Sequence, residues 1–217
     1  AYFVKTLGID KKDFDRAFKL ALKEQERVKA ELKEEGKKII EHAKETQTPI
    51  ILIVSRPYHI DPLINHKIPE TIASFGINVL TEDGLDIDES LADVQVLTQW
   101  SYPNKMFKAV LWAAKQKDIK LEVVQINSFG CGPDATTSDE IKSILNAYGK
   151  NPTLVKVDEI SSPGSIRLRI RSMIESMKMK GNFFPKEKPQ RTIIKRYEKN
   201  DKRAILVPKF GHFYDPM

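Results

Sequence analysis

Pro49-Ile50-Ile51-Leu52-Ile53-Val54-Ser55-Arg56-Pro57 is the stretch on which the fold turns. Five consecutive apolar residues, four of them β-branched, stand between two prolines. The run is too short for a globular helix, and it lacks the alternation that leaves one strand face in water. It therefore reads as a parallel strand buried on both faces. Such a strand needs parallel neighbours, and parallel neighbours need crossover connections, usually helices. Downstream the pattern supplies both. Residues 62–75 read as a helix ended by Gly76, and Ile77-Asn78-Val79-Leu80 as a second strand. Lys105 to Gln116 carries Met106, Ala109, Val110 and Ala113 at helical spacing. Leu121 to Asn127 is a third strand, Ser138 to Ala147 a helix, Thr153 to Val157 a fourth strand and Ser165 to Met179 a last helix. Short strands alternating with helices predict an α/β fold, a doubly wound, flavodoxin-like parallel sheet of about four strands.

Upstream, residues 11–46 read as helix. Ala21, Gln25, Val28, Leu32, Ile39 and Ala43 recur at steps of three, four and seven, and Lys and Glu fill the other faces. Asp10 stands where an N-cap belongs. Gly36 interrupts the pattern and predicts a bend or a division into two helices. The chain thus divides into an N-terminal helical segment (1–48), the flavodoxin-like domain (49–180) and a basic linker that begins a following segment (181–217). A start at Ala1 and the strand-like run Ala204-Ile205-Leu206-Val207 near the end suggest a piece of a longer protein.

Composition narrows the class. At 217 residues, 41% hydrophobic and 30% charged, the chain is long enough for a substantial core. No apolar run approaches the roughly 20 residues of a membrane span. The single cysteine, Cys131, excludes an internal disulfide framework and fits a reducing, cytoplasmic setting. The net charge of +6 is concentrated: Lys178 to Arg203 holds ten Lys/Arg against three acidic residues. A basic tail can bind nucleic acid, but its aromatics (Phe183, Phe184, Tyr197) are too scattered for a stacking platform, so a solvated linker is the preferred reading.

In an open parallel sheet, ligands bind beyond the carboxyl ends of the strands. The unusual residues fall in those loops. Arg56 offers a rigid fork for carboxylate or phosphate, or for an acidic side chain in a neighbouring loop. His59 and His66, seven apart, would share a face on one continuous helix, yet no acidic or cysteine partner stands at a metal-site spacing, so loop hydrogen bonding is preferred for both. Cys131 lies between Gly130 and Gly132 just past a strand. Flanking glycines let the backbone approach a bulky group and free N–H groups toward a thiolate, which suits an iron–sulfur ligand or a reactive thiol. A small buried hydrophobe is the other reading, and spacing leaves both open. Gly164 opens a helix that carries Arg167, Arg169 and Arg171, but no P-loop or GxGxxG turn is present, so no nucleotide site is read here.

Four stretches taken together carry a resemblance: Ser55-Arg56-Pro57-Tyr58-His59-Ile60-Asp61-Pro62-Leu63-Ile64-Asn65-His66, Val79-Leu80-Thr81-Glu82-Asp83, Gln99-Trp100-Ser101-Tyr102 and Asn127-Ser128-Phe129-Gly130-Cys131-Gly132-Pro133-Asp134. They resemble the large CoA-substrate-specific enzyme activases, also described as 2-hydroxyglutaryl-CoA dehydratase activator-related proteins. The resemblance implies a dehydratase-subunit-like module. In the longer protein it would accompany an ATP-hydrolysing activase module that drives low-potential electrons into an iron–sulfur cluster. In that superfamily three cysteines from three loops hold the cluster. Cys131 matches the last, and Gly164 to Glu175 looks like the closing helix of those subunits. The other two cysteines and any ATPase motif are not in this chain.

The resemblance therefore implies Cys131 as a metal ligand. Arg56, Tyr58, His59, Asn65, Gly130 and Gly132 would shape the site, and the remaining cysteines and ATP would belong to other domains of the parent protein. An acyl-CoA is the substrate class it implies. Neither a membrane nor nucleic acid is expected as a partner. The alternative is a flavodoxin-like interaction or regulatory domain with an incidental cysteine.

Overall fold

The computed structural model describes residues 2–92, 94–96, 99–128, 130, 132–158 and 162–180. The strand-like run at 204–208 and the basic linker from 181 onward lie outside them. A short helix α1 (Tyr2–Leu7) precedes the long α2 (Lys11–Thr46). Then come β1 (Ile50–Val54), α3 (Ile68–Ala73), β2 (Asn78–Thr81), α4 (Ser101–Lys115), β3 (Leu121–Ser128), α5 (Gly132–Ala147), β4 (Thr153–Val157) and α6 (Pro163–Lys180). The sheet order is β2-β1-β3-β4 and every pair is parallel, which is the expected flavodoxin-like arrangement. Ile50 lies opposite Asn78 on one side and Leu121 on the other, and Ser128 opposite Val157.

β1 is buried along its whole length. Its alternate residues feed two cores, as a two-residue period requires. Ile50, Leu52 and Val54 pack with Val123, with Ala43 of α2, and with Phe107 and Val110 of α4 and Ile144 of α5. Ile51 and Ile53 pack with Val124 and Ile126, with Ile68 and Ile72 of α3, and with Ile166 and Ile170 of α6. Helices thus cover both faces of the sheet.

α2 begins where its cap was expected: Asp10 Oδ1 accepts the backbone N–H groups of Lys12 (2.8 Å) and Asp13 (3.4 Å). It ends at Gln47, whose φ of 55° places it in the left-handed region. Gly36 neither bends nor divides the helix, which runs unbroken from Lys11 to Thr46. The reason for glycine is tertiary. The helix crosses the Glu82–Gly84 turn after β2 so closely that a Cβ on Gly36 would lie 1.8 Å from the Gly84 carbonyl oxygen. Leu32 oxygen and the Gly36 Cα stand 3.5 and 3.6 Å from where a Gly84 side chain would begin. Lys33 then pairs with Asp86 at 2.8 Å beside this crossing.

The helix expected over 62–75 is shorter. His66 and Lys67 both have left-handed φ (53° and 58°), so helix begins only at Ile68. Before it, Pro57–Ile60 form one 3-10 turn. α4, α5 and α6 each start earlier than the apolar spacing indicated, because the first turn of each is polar or small and carries no periodic signal.

Gly36→Ala would gain up to about 1 kcal/mol of helix propensity on an exposed helix. Here the added methyl meets backbone, and overpacking of that kind costs about 1–3 kcal/mol. Gly36→Ala is expected to lower the thermal midpoint by a few degrees (roughly 2–4 °C per kcal/mol at this size). A midpoint equal to or above wild type would contradict the close crossing.

Candidate functional site

Between β1 and β3 the strand order reverses, since the chain builds β2 on one side of β1 and β3-β4 on the other. The carboxyl ends of these two central strands frame the crevice where ligands bind in such sheets. β1 runs out into Ser55 and Arg56 in extended conformation, and Pro57, with its fixed φ, starts the 3-10 turn. That turn aims Arg56 across the crevice. Its Nε donates to Asp134 Oδ1 at 2.7 Å. The Arg56 side chain is 19% exposed and that of Asp134 only 3%. Asp134 sits in the first turn of α5, where the helix N-terminus also favours a carboxylate.

His59 is buried beside this pair. Its Nε2 shares a 3.0 Å hydrogen bond with Ser128 Oγ at the end of β3, and its ring lies 4.4 Å from that of Tyr58. Burial holds the imidazole below its usual pKa, Arg56 pushes it the same way, and Asp134 opposes them. The ring is therefore neutral near pH 7. Asn65, also buried, fixes the loop rather than facing the crevice: Nδ2 donates to the carbonyls of His59 (2.9 Å) and Ile60 (3.3 Å), and Oδ1 accepts the Lys67 N–H (2.8 Å). Tyr58 is half exposed at the rim. His66 stands apart from His59, with Nε2 3.3 Å from the Asp158 carbonyl oxygen.

Asn127 donates to Ser138 Oγ (3.2 Å), and Ser138 in turn donates to the Asp134 carbonyl (2.7 Å). Three buried atoms, His59 Nδ1, Asn127 Oδ1 and Asp134 Oδ2, have no hydrogen-bond partner among the described residues. Gly130 has φ +73°, which needs glycine, and Gly132 opens α5 with no atom of the described residues within 4 Å of a Cβ position. Cys131 between them lies outside the described residues. Of the expected site residues, Arg56 and His59 converge on the crevice and Tyr58 stands at its rim, while Asn65 supports them. Asp134, Ser128 and Asn127 join them without having been singled out. Only their position at the end of a strand could have signalled them.

Like Glu140 of α5, Glu82, after β2, is a further buried acid. Its Oε1 accepts the Ser55 N–H at 3.3 Å, and burial pushes its pKa up to about 7. Neighbouring Asp83 pairs with Lys105 in the first turn of α4. A cavity of about 550 Å³ lies at the opposite, amino edge of the sheet, lined by Pro49, Phe75, Lys120, Lys150 and Met177 among others. Lys150 there donates to the carbonyls of Ala113 (2.8 Å) and Gln116 (3.1 Å) at the end of α4. Among the described residues no three His, Cys, Asp or Glu stand together as metal ligands, and no helix is long and apolar enough to cross a membrane.

These features define an α/β domain of flavodoxin-like topology with a buried polar cluster at its switch point. Of the resemblance read in the sequence, the activase part is matched: residues 1–85 match the family of the CoA enzyme activase uncharacterised domain, and the stretches at 99–102 and 127–134 lie beyond that match. The matched stretch spans α1 through the Glu82–Gly84 turn, so it contains the Gly36 crossing, Arg56 and His59, whereas Asp134 lies beyond it. No curated protein and no solved structure matches the chain.

Removing one partner of a buried ion pair leaves the other uncompensated, at about 3–5 kcal/mol, while replacing both can be near neutral. Arg56→Met is expected to destabilise by about 3 kcal/mol and Arg56→Met/Asp134→Leu by clearly less, measured by urea unfolding. A double-variant loss equal to the sum of the Arg56→Met and Asp134→Leu losses would show that the pair is not coupled.

Glu82 provides a pH test. Its folded pKa lies above the ordinary 4.5, so the folded chain holds the extra proton between pH 4.5 and about 7. Stability due to this group is present below that window and is lost as pH rises through it, by up to about 3 kcal/mol. Glu82→Gln should match wild type near pH 4.5 and exceed it at pH 8. A stability difference that does not change with pH would refute the assignment.

Proposed function

We propose that this chain is the cofactor-supporting module of a CoA enzyme activase-type protein, and that it lends one thiolate, Cys131, to an iron–sulfur cluster completed by cysteines of other domains. The observation that carries the reading is the convergence of Arg56 and His59 on Asp134 and Ser128, on either side of the β3–α5 loop. The loop's described flanks, Ser128, Gly130 and Gly132–Asp134, border the crevice at which Arg56 and His59 converge. The surroundings suit such a group: Gly130 and Gly132 leave open space, and buried His59 Nδ1 and Asp134 Oδ2 are still without partners among the described residues.

When bound, the cluster would supply low-potential electron transfer, powered by ATP hydrolysis elsewhere in the parent protein, with an acyl-CoA as the substrate class. This chain's own residues have narrower tasks. The Arg56–Asp134 pair ties the β1 loop to α5, so the two loops that border the crevice hold a fixed separation. The neutral His59 keeps Nε2 on Ser128 and leaves Nδ1 able to hold or release a proton inside a dry site. Tyr58, Ile60, Leu63 and Ile64 are exposed on the β1–α3 loop, as a surface completed by another domain requires. The module would work in the cytoplasm, where thiolates stay reduced.

Those same exposed residues favour the second reading, an interaction domain whose cysteine is incidental. Iron and sulfide content of the anaerobically purified full-length protein, wild type beside Cys131→Ser, separates the two. The cluster reading expects a clear loss in the variant. Equal content would leave the interaction domain standing.

A further inference from the structure

Among the described residues α2 meets the sheet domain through its C-terminal part, from the Leu32 carbonyl and Lys33 to Gly36, Ile39, Ile40 and Ala43. The stripe continues past the domain. Phe18, Ala21, Gln25, Val28 and Leu32 follow at steps of three and four, the seam spacing of a coiled coil, with Phe14 one step earlier. Phe18, Val28 and Leu32 are 55%, 41% and 45% exposed, and Leu22 beside the seam is also exposed. Phe14 stacks on Phe18 with ring centroids 6.2 Å apart, which stiffens that end of the seam. A 25-residue helical arm from Lys11 to Glu35 therefore presents an apolar line beyond the domain.

We infer that this arm pairs with the same arm of a second copy, antiparallel, as a two-helix coiled coil. Charge selects both the partner and the direction. Lys11 to Lys23 holds five basic and two acidic residues, and Glu24 to Glu35 three basic and five acidic. A reversed copy sets the net +3 half against the net −2 half, whereas a parallel copy sets like against like. Register agrees independently. Antiparallel seams pair a with d, and the alignment that places Phe18 opposite Val28 also places Ala21 opposite Gln25 and Leu32 opposite Phe14. Leu22 then meets Leu22 across the two-fold axis, and Asp15 faces Lys29 at the flank. The one like-charge meeting, Glu24 with Glu24, is screened by Arg27, which already bonds Glu24 at 2.8 Å through Nε.

The same alignment puts Lys11 opposite Glu35, one residue before Gly36 enters the domain contact. A parallel partner would follow the stripe onto residues already occupied by the sheet domain. The reversed helix starts where the free seam ends.

Sedimentation of the 217-residue chain should show a dimer at micromolar concentration, weakened by salt. Phe18→Glu/Val28→Glu should be monomeric with unchanged helix content by circular dichroism. The surface variant Lys19→Glu/Lys23→Glu, which leaves the seam intact, should bind itself roughly tenfold more weakly at low salt. In a Cys131→Ser background, mixed Phe18→Cys and Val28→Cys chains should form the 18–28 disulfide. The two Phe18 positions lie roughly 15 Å apart along the axis, so 18–18 bridges should be scarce. A monomeric wild type, dominant 18–18 bridges, or a dimer insensitive to the seam variant would each overturn the inference. The result is independent of iron content, so it stands or falls apart from the cluster reading.

Discussion

A strand with no polar face and no route to water sets the terms for everything around it. The backbone groups of β1 can be satisfied only by a strand on either side, and its side chains only by apolar layers above and below. That requirement places β2 and β3 as its neighbours and puts α3 and α6 on one face, α2, α4 and α5 on the other. It also fixes where polar chemistry can begin. The first residue able to leave the dry centre is at the carboxyl end, where Ser55 and Arg56 follow Val54. The crevice is thus a consequence of the strand's apolarity as much as of the loop residues themselves.

Arg56 and Asp134 make that exit costly. Taking a guanidinium and a carboxylate largely out of water is repaid only by near-ideal geometry and by the α5 N-terminus. A pair of hydrophobic residues would hold the two loops together at less risk. The ionic tie lies beside a buried histidine that is neutral near pH 7. The sheet's amino edge offers a contrast. There Lys150 is half-buried, and its ammonium donates to the last carbonyls of α4, a helix-ending role.

Strands, helices and their order were legible because burial imposes a period, and periods are visible in one dimension. All four strands were placed to within a residue. The polar starts of α4, α5 and α6 and the broken approach to α3 were not, since caps, prolines and left-handed residues such as His66 and Lys67 follow local geometry. Gly36 shows the limit most clearly. Read along the helix it is a weak link; read across to Gly84 it is the residue that lets α2 touch the sheet domain. Arg56 and His59 were identifiable from the loop after β1, but their partners Asp134 and Ser128 lie more than sixty positions away. No local pattern encodes such a pairing. The basic linker and Cys131 fall outside the described residues, so the expectations on them remain those of the sequence.

The Gly36 crossing also explains why α2 has a spare seam. Among the described residues, helix contact with the domain begins at the Leu32 carbonyl and Lys33 and is tightest at Gly36, where glycine is required. N-terminal to that point the stripe keeps its spacing, and Phe18, Val28 and Leu32 on it are exposed. A helix whose exposed half needed only solubility would keep Lys and Glu on every face. Instead Phe18, Leu22, Val28 and Leu32 line one side, with Leu20 exposed on another and opposite net charge at the two ends of the arm. In proteins most helical stability comes from packing of an amphipathic face. An arm of this composition is therefore best understood as one half of a contact, the sheet domain anchoring one end and a second helix covering the other.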